Sequence, residues 1–220
     1  SSSSDFWQQK TTHSAEQQLA LLGFVGVPVG DRPKSRLVAT DKMSADMNLF
    51  LHVYGVDDEE RIALIHPAAA FKTKQWEPQN FAKVVEYLES KGQFCVVVAA
   101  PNEKHIIDEI NDSTKTTFHG FWDLTLPEIV ALSSRAELFV GNDSGIAHIA
   151  AAVNTPSVVI FGSSNRDHWR PWTDAPNEIV FEELPCQPCA GYECKEFGEP
   201  KCILSVKPES VFGSIQKVLN

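Results

Sequence analysis

Short apolar runs alternate with amphipathic stretches from Arg61 onward. The run 94–100 is apolar almost throughout, which is typical of a strand buried inside a parallel sheet. The stretch 80–90 carries its apolar residues at helical spacing, which places them on one face. The pattern predicts strands at 62–65, 94–100, 116–118, 136–140, 157–161 and 179–181, and helices at 80–90, 103–110, 127–134, 144–153 and 208–219.

This alternation of strands and helices determines the predicted fold class. Parallel strands joined through helices require crossovers, and such crossovers are nearly always right-handed. The expected outcome is an α/β fold with a doubly wound parallel sheet, Rossmann-like, over residues 61–220. In such sheets ligands bind beyond the carboxyl ends of the strands, so the residues that follow the predicted strands are the candidates for a binding site.

The front of the chain, residues 1–60, has a weaker hydrophobic pattern. A short helix is predicted at 14–22, with Ser14 as its N-cap and Gly23 just past its end. A second helix is predicted at 45–54. The pattern is too sparse for a separate domain, so we interpret residues 1–60 as a linker and the tail of another domain.

The segment from Leu138 to His148 predicts a strand, a tight polar turn and a helix. Unpaired amides and the helix dipole make the start of such a helix a natural anion site. Ser144 and Gly145 lie at the turn, and His148 follows one helical turn later on the same face. The alternative is an ordinary N-capped helix of an α/β sheet.

Other predicted strand ends add charged residues to the same edge. Lys74 follows the first strand, and Glu103 follows the second. A diphosphate needs cationic and amide donors, and a ribose diol suits a carboxylate. Each residue also has a structural alternative: a solvated lysine, a glutamate in a helix first turn, and, for His66, a satisfied core residue.

The composition of the chain disfavours some classes of binding partner. The 220 residues include 29 acidic and 19 basic side chains, for a net charge of −10, which disfavours nucleic acid or anionic lipid as a partner of the whole surface. No apolar run approaches the roughly 20 residues of a membrane-spanning helix. The sequence shows no signal peptide, so the expected location is the cytoplasm, either free or peripheral at the inner membrane.

The cysteines form a separate candidate site. Cys186, Cys189, Cys194 and Cys202 are close in sequence, and a Cys-x-x-Cys with two further thiols can close a tetrahedral zinc site. A labile disulfide and a cysteine-rich loop without a ligand are the alternatives. Cys95, within an apolar run, is interpreted as a small core residue.

Several motifs together resemble one family. They are His66-Pro67 with Lys74-Gln-Trp76, Gly141-Asn-Asp-Ser-Gly-Ile-Ala-His148, Asn154-Thr-Pro156, Phe161-Gly162 with Trp169-Arg-Pro-Trp172, and Cys186-Gln-Pro-Cys189. Their order and spacing resemble the ADP-heptose:lipopolysaccharide heptosyltransferases, glycosyltransferase family nine. The resemblance implies a GT-B enzyme of two Rossmann-like domains, of which this chain matches the C-terminal, donor-binding one and its linker. It finds no counterpart here of the acceptor domain with its catalytic aspartate.

Carried over by residue, the resemblance implies roles at the predicted cleft. Lys74 would neutralise the leaving diphosphate, and Ser144 and Gly145 would bind its oxygens, with His148 supporting that site. Glu103 would hold the ribose. In the same family mapping Asp143 would meet a sugar hydroxyl, since a carboxylate beside a diphosphate would repel it.

The implied reaction is inverting transfer of heptose from ADP-heptose to a lipopolysaccharide core acceptor, with no cofactor required. The sequence departs from the family at Ala68-Ala-Ala70, where a hydroxyl residue is common, and at Gln75, where a basic residue is common. The alternatives are a non-catalytic nucleotide or nucleotide-sugar binding module, and another GT-B-like enzyme such as a sugar-nucleotide epimerase.

Overall fold

A computed structural model of the protein describes residues 11–189 and 192–220. Its centre is one parallel sheet in the order β3-β2-β1-β4-β5-β6. The order reverses direction next to β1, as in other doubly wound folds, which confirms the predicted fold class. The strands are β1 (Ile62–His66), β2 (Phe94–Val98), β3 (His119–Phe121), β4 (Leu138–Asn142), β5 (Ser157–Ile160) and β6 (Asn177–Val180).

Helices connect the strands and cover both faces of the sheet. Two short 3-10 turns, Lys72–Lys74 and Pro101–Glu103, follow β1 and β2. The α-helices are α1 (Ser14–Phe24), α2 (Asp41–Val53), α3 (Pro78–Glu89), α4 (Lys104–Ser113), α5 (Leu126–Arg135), α6 (Gly145–Ala152), α7 (Arg166–Trp169), α8 (Lys201–Leu204) and α9 (Pro208–Leu219).

The core consists of two apolar clusters, one on each face of the sheet, because alternate strand side chains point to opposite faces. Ala63 and Ile65 of β1 face one cluster, together with the buried sides of α3, α4 and α9. Ile62 and Leu64 face the other, which includes residues of α2, α5 and α6. The predicted apolar face of α3 is buried as expected.

Several predicted positions differ in the structure. The third strand lies at His119–Phe121 rather than at 116–118. It is an edge strand of only three residues. The ring of His119 stacks on the ring of Phe94, with centroids 5.1 Å apart. This is a tertiary contact, which the local sequence pattern does not reveal. In addition, His13 rather than Ser14 caps α1, since its ring accepts a hydrogen bond from the Ala15 amide.

The front segment takes part in the packed unit. Met47 and Leu51 of α2 are buried in the second cluster, while Leu49 and Val53 of the same helix are exposed. The folded unit therefore extends N-terminally of Arg61. The sequence pattern of α2 did not predict this packing, because the hydrophobic residues of the helix are divided between the core and the surface.

Candidate functional site

A cleft of about 420 Å³ lies at the carboxyl edge of the sheet. Its walls are formed by the segments that follow β1, β2 and β4, as predicted for a doubly wound sheet. The volume falls within the range of small-molecule sites. The structure brings together all of the predicted donor-binding residues, which line this one cleft: Lys74, Glu103, Asp143, Ser144, Gly145 and His148.

The turn between β4 and α6 is fixed by close contact with β1. A Cβ atom on Gly141 would come within 2.7 Å of the His66 carbonyl oxygen, so only glycine fits there. The side chain of the buried Asn142 donates to the Pro67 carbonyl (2.6 Å) and accepts from the Trp76 amide (3.2 Å). The role of Asn142 was not predicted from the sequence, where the signal for it is a polar residue at the end of an apolar strand.

Lys74 is placed by a rigid turn. The preceding Thr73 is buried, and its carbonyl and hydroxyl oxygens accept from the Ser163 amide (3.1 Å) and hydroxyl (2.9 Å). A Cβ atom on Gly162 would overlap the Thr73 carbonyl oxygen. The end of β5 therefore holds the turn in position and directs Lys74 into the cleft.

Lys74 and Asp143 form an ion pair within the cleft. The Lys74 ammonium lies 2.8 Å from Asp143 Oδ2, and their side chains are 20% and 5% exposed. Among the described residues this oxygen has no partner at hydrogen-bond geometry, so the contact is a charge contact rather than an aligned bond. An ammonium has three N–H groups, which leaves Lys74 able to contact an anion while still near Asp143.

The N-terminus of α6 is open toward the cleft. Ser144 is the N-cap residue, yet its hydroxyl makes no capping bond and lies 3.1 Å from Nδ1 of His66. Gly145, the first residue of the helix, has no atom within 4 Å of the place a Cβ would occupy. The first-turn amides and the helix dipole are therefore available to an anion.

Both histidines of the cleft are neutral near pH 7. Burial lowers the pKa of His66 to about 4. Burial also lowers the pKa of His148, an effect that the charge of Asp143 opposes and that positive charge on Lys74 or His13 reinforces. Neutral rings offer one donor and one acceptor each.

Glu103 has a structural role as well as its place in the cleft wall. One of its carboxylate oxygens accepts from the Ala100 amide at 3.1 Å, just before α4 begins. The structural alternative, a glutamate at the start of a helix, is therefore correct for one oxygen. The residue still lines the cleft.

Aromatic residues complete the cleft wall. Trp169, at the end of α7, is 43% exposed and lines the cleft with Phe71. Phe71 packs edge-on against Tyr192, with ring centroids 4.3 Å apart. The place of Phe71 in the cleft was not predicted from the sequence, because an isolated aromatic residue in a loop carries no periodic signal.

The predicted zinc site is not supported by the structure. Within residues 11–189 and 192–220, no group of three or more histidine, cysteine, aspartate or glutamate side chains is placed to hold a metal ion. Cys202 is buried in α8 and its thiol pKa is raised by burial, with the neighbouring thiols of Cys186, Cys189 and Cys194 adding to the effect. The cysteines are thus neighbours, but they are anchored on separate segments rather than directed at one point.

Across the described part of the chain, every helix is too short or too polar to span a bilayer.

A doubly wound sheet with an open helix N-terminus in a cleft at its carboxyl edge is typical of nucleotide-binding α/β proteins. Residues 8–198 match the family model for glycosyltransferase family 9 (heptosyltransferase). The match covers most of the sequence, and the chain belongs to this family.

Individual relatives agree with this assignment. The chain is 32% identical to lipopolysaccharide heptosyltransferase 3 of Escherichia coli K12 over 218 residues, 94% of this chain and 60% of the relative. The fold resembles a family 9 glycosyl transferase from Veillonella parvula, with a TM-score of 0.82 and 20% identity, covering 96% of this chain and 61% of that one. It also resembles E. coli ADP-heptose LPS heptosyltransferase II, with a TM-score of 0.73, 18% identity and coverage of 88% and 56%. The chain thus spans between 56% and 61% of the length of these three relatives.

Proposed function

We propose that this chain is the donor-binding part of an inverting glycosyltransferase that transfers heptose from ADP-heptose to a lipopolysaccharide core acceptor. The observation that carries the proposal is the convergence of Lys74, the open α6 terminus and Glu103 on one cleft. Membership of the heptosyltransferase family and the ADP-heptose enzyme among the fold relatives support heptose and adenine as the sugar and base.

In the proposed complex the diphosphate lies between Lys74 and the start of α6. Negative charge grows on the diphosphate as the bond to the anomeric carbon breaks. Donors that are already oriented toward that charge stabilise the transition state more than the ground state. Lys74 and the amides at Ser144 and Gly145 supply such donors, so the proposed transfer requires no cofactor.

The two carboxylates of the cleft are assigned to the rest of the donor. Glu103 holds the ribose hydroxyls with the oxygen that the Ala100 amide leaves available. Asp143 contacts a sugar hydroxyl. The ammonium of Lys74, which lies beside the Asp143 carboxylate, screens that carboxylate from the charge of the diphosphate. With both carboxylates engaged, we assign the base that deprotonates the acceptor to a part of the protein outside this sequence. In this proposal residues 61–220 are the donor-binding domain, and residues 1–60, although α2 packs on the sheet, are the linker and tail of that part.

Two alternatives predicted from the sequence use the same fold. A binding module would share the cleft, and an epimerase would need catalytic acids of its own. The family match favours glycosyl transfer over both. The cytoplasm, free or peripheral at the inner membrane, is the proposed location, in keeping with the family match.

Calorimetric titration with ADP tests the cleft. Gly145→Ala adds a methyl group in open space at the start of α6, the helix end that contacts the diphosphate in the proposed complex. We expect it to weaken ADP binding by about tenfold or more, through loss of charge-assisted contacts. Gly213→Ala is the matched control, since Gly213 also lies in a helix (α9) with open space around it, and should leave ADP binding unchanged.

Two results would contradict the proposal: no ADP affinity in the folded wild-type chain, or equal effects of the two alanines. Sugar transfer tests the remaining part. We expect the 220-residue chain to bind donor without transferring radiolabelled heptose to heptose-deficient lipopolysaccharide. Transfer by this chain alone, as fast as by a form that carries the acceptor-binding part, would place the base among these residues.

A further inference from the structure

The contact between His66 and Ser144 links the end of β1 to the start of α6. Ser144 Oγ lies 3.1 Å from His66 Nδ1, and both residues line the cleft. The backbone of His66 is held by strand pairing, since His66 is the register partner of Gly141 in β4. The hydroxyl is free of the capping role that an N-cap serine usually has.

The direction of this hydrogen bond depends on the tautomer of His66. A neutral imidazole has one N–H, and a hydroxyl has one hydrogen and two lone pairs. If Nδ1 accepts, the hydrogen of Ser144 is directed at the ring and only its lone pairs face the cleft. If Nδ1 carries the proton, the Ser144 oxygen accepts and its hydrogen is available to a ligand.

An anion beside Ser144 distinguishes these two arrangements. Phosphate oxygens accept hydrogen bonds, so the serine hydrogen gains a partner only in the second arrangement. Ala69 and Ala70, which line the same wall, offer no side-chain donor to compensate. Burial keeps the pKa of His66 near 4, so the ring has a single proton to place at neutral pH.

We propose that His66 is a positioning residue for the anion site: in the complex with a nucleoside diphosphate its Nδ1–H donates to Ser144, which in turn donates to the diphosphate. This inference rests on the proposed function, because it needs a diphosphate in the cleft. It adds a residue that acts through Ser144 rather than on the ligand itself, and it makes the tautomer of His66 part of ligand recognition.

Nitrogen-15 NMR of histidine-labelled protein reads the tautomer directly. In the ADP complex we expect the Nδ1 resonance of His66, assigned by its loss in His66→Asn, to have the shift of a protonated ring nitrogen. Adenosine, which lacks the diphosphate, is the control ligand and should not select this tautomer. A complex with ADP in which the proton lies on Nε2 would overturn the inference.

Binding measurements provide a second, independent readout. Ser144→Ala and His66→Leu should each weaken ADP binding on the order of tenfold, as for loss of a hydrogen bond to a charged group. The double variant should be no weaker than either single one, because both remove the same relay. His66→Asn, whose amide can donate from near the Nδ1 position, should restore most of the affinity, whereas His66→Gln should not.

Additive losses in the double variant, or equal affinities of the asparagine and glutamine variants, would overturn the relay. If His66→Leu does not fold, the wild-type spectrum and Ser144→Ala still decide the question. Failure of wild-type protein to bind ADP would instead overturn the proposed function and the relay with it. Binding of ADP without the Nδ1–H tautomer would overturn the relay alone.

Discussion

The two ends of the central sheet each carry an ion pair, and the pairs differ in how completely they are satisfied. At the amino edge, Arg61 donates to both oxygens of Glu137, at 2.7 and 3.1 Å, and Gln93 adds a third donor at 2.8 Å. At the carboxyl edge, Lys74 meets one oxygen of Asp143 without hydrogen-bond geometry.

The difference shows where binding capacity lies. The amino-edge pair is more exposed, and its carboxylate has aligned donors from the protein itself, so it ties the starts of neighbouring strands. The carboxyl edge is more buried, and there the serine is without a capping bond and the helix end is open. A charged ligand binds well to polar groups that the protein holds in place but leaves without a full set of hydrogen bonds.

Acid should destabilise the protein mainly through the carboxyl edge. His66 has a pKa lowered from 6.5 to about 4, so the unfolded state binds more protons between these values. Stability that is present above about 6.5 is lost as the pH falls toward 4, and the loss from this residue is about 3 kcal/mol. Urea unfolding across this pH window, compared with His66→Asn, measures it. An unchanged pH slope in the variant would contradict the burial of a neutral ring.

Loss of the carboxyl-edge cation should affect binding most. We expect Lys74→Ala to weaken ADP binding by about 1.5–3 kcal/mol, the range for a contact to a charged group. Lys217→Ala, which breaks a surface pair with Glu178, is the matched lysine control and should leave binding unchanged. Calorimetry of both variants checks this, and an ADP affinity of Lys74→Ala equal to that of the control would argue against Lys74 as a ligand.

Removal of the carboxyl-edge anion should have a smaller effect of the opposite sign. Asp143→Asn removes a negative charge 2.8 Å from the Lys74 ammonium, which frees the cation for the diphosphate. ADP should bind roughly threefold to tenfold more tightly, because the repulsion between a partly screened carboxylate and the diphosphate is modest. ADP-heptose should gain less, because its contact with the carboxylate is lost. If both ligands bind more weakly, Asp143 instead orients Lys74.

Changes at the amino edge should have the smallest effect. The guanidinium of Arg61 lowers the pKa of Glu137, so its contribution is present above the ordinary carboxyl range and lost as the pH falls through the lowered value. Because the pair is largely exposed, Glu137→Gln should cost at most about 1 kcal/mol of unfolding free energy. It should not alter the ADP affinity. A change in affinity would mean that the two edges are coupled through β1 and β4.

Much of the cleft was predictable because parallel topology brings strand ends to one edge whatever the side-chain details. The positions of Lys74, Ser144 and Gly145 after apolar runs were therefore informative as a set, although each residue alone had a structural alternative. The ion pair between Lys74 and Asp143 was not predicted, since it depends on the turn that Thr73 and Ser163 fix. The zinc site was predicted from spacing alone, and spacing does not orient thiols on separate segments.

The sequence by itself determined the alternation of strands and helices along the chain and the closing helix at Pro208–Leu219, because apolar periodicity and proline placement act locally. Only the tertiary structure decided the short strand β3, the burial of Met47 in α2, and the contacts of Asn142 and His66 with their neighbours. These features depend on residues far apart in the chain, and their free energy appears only when the layers pack.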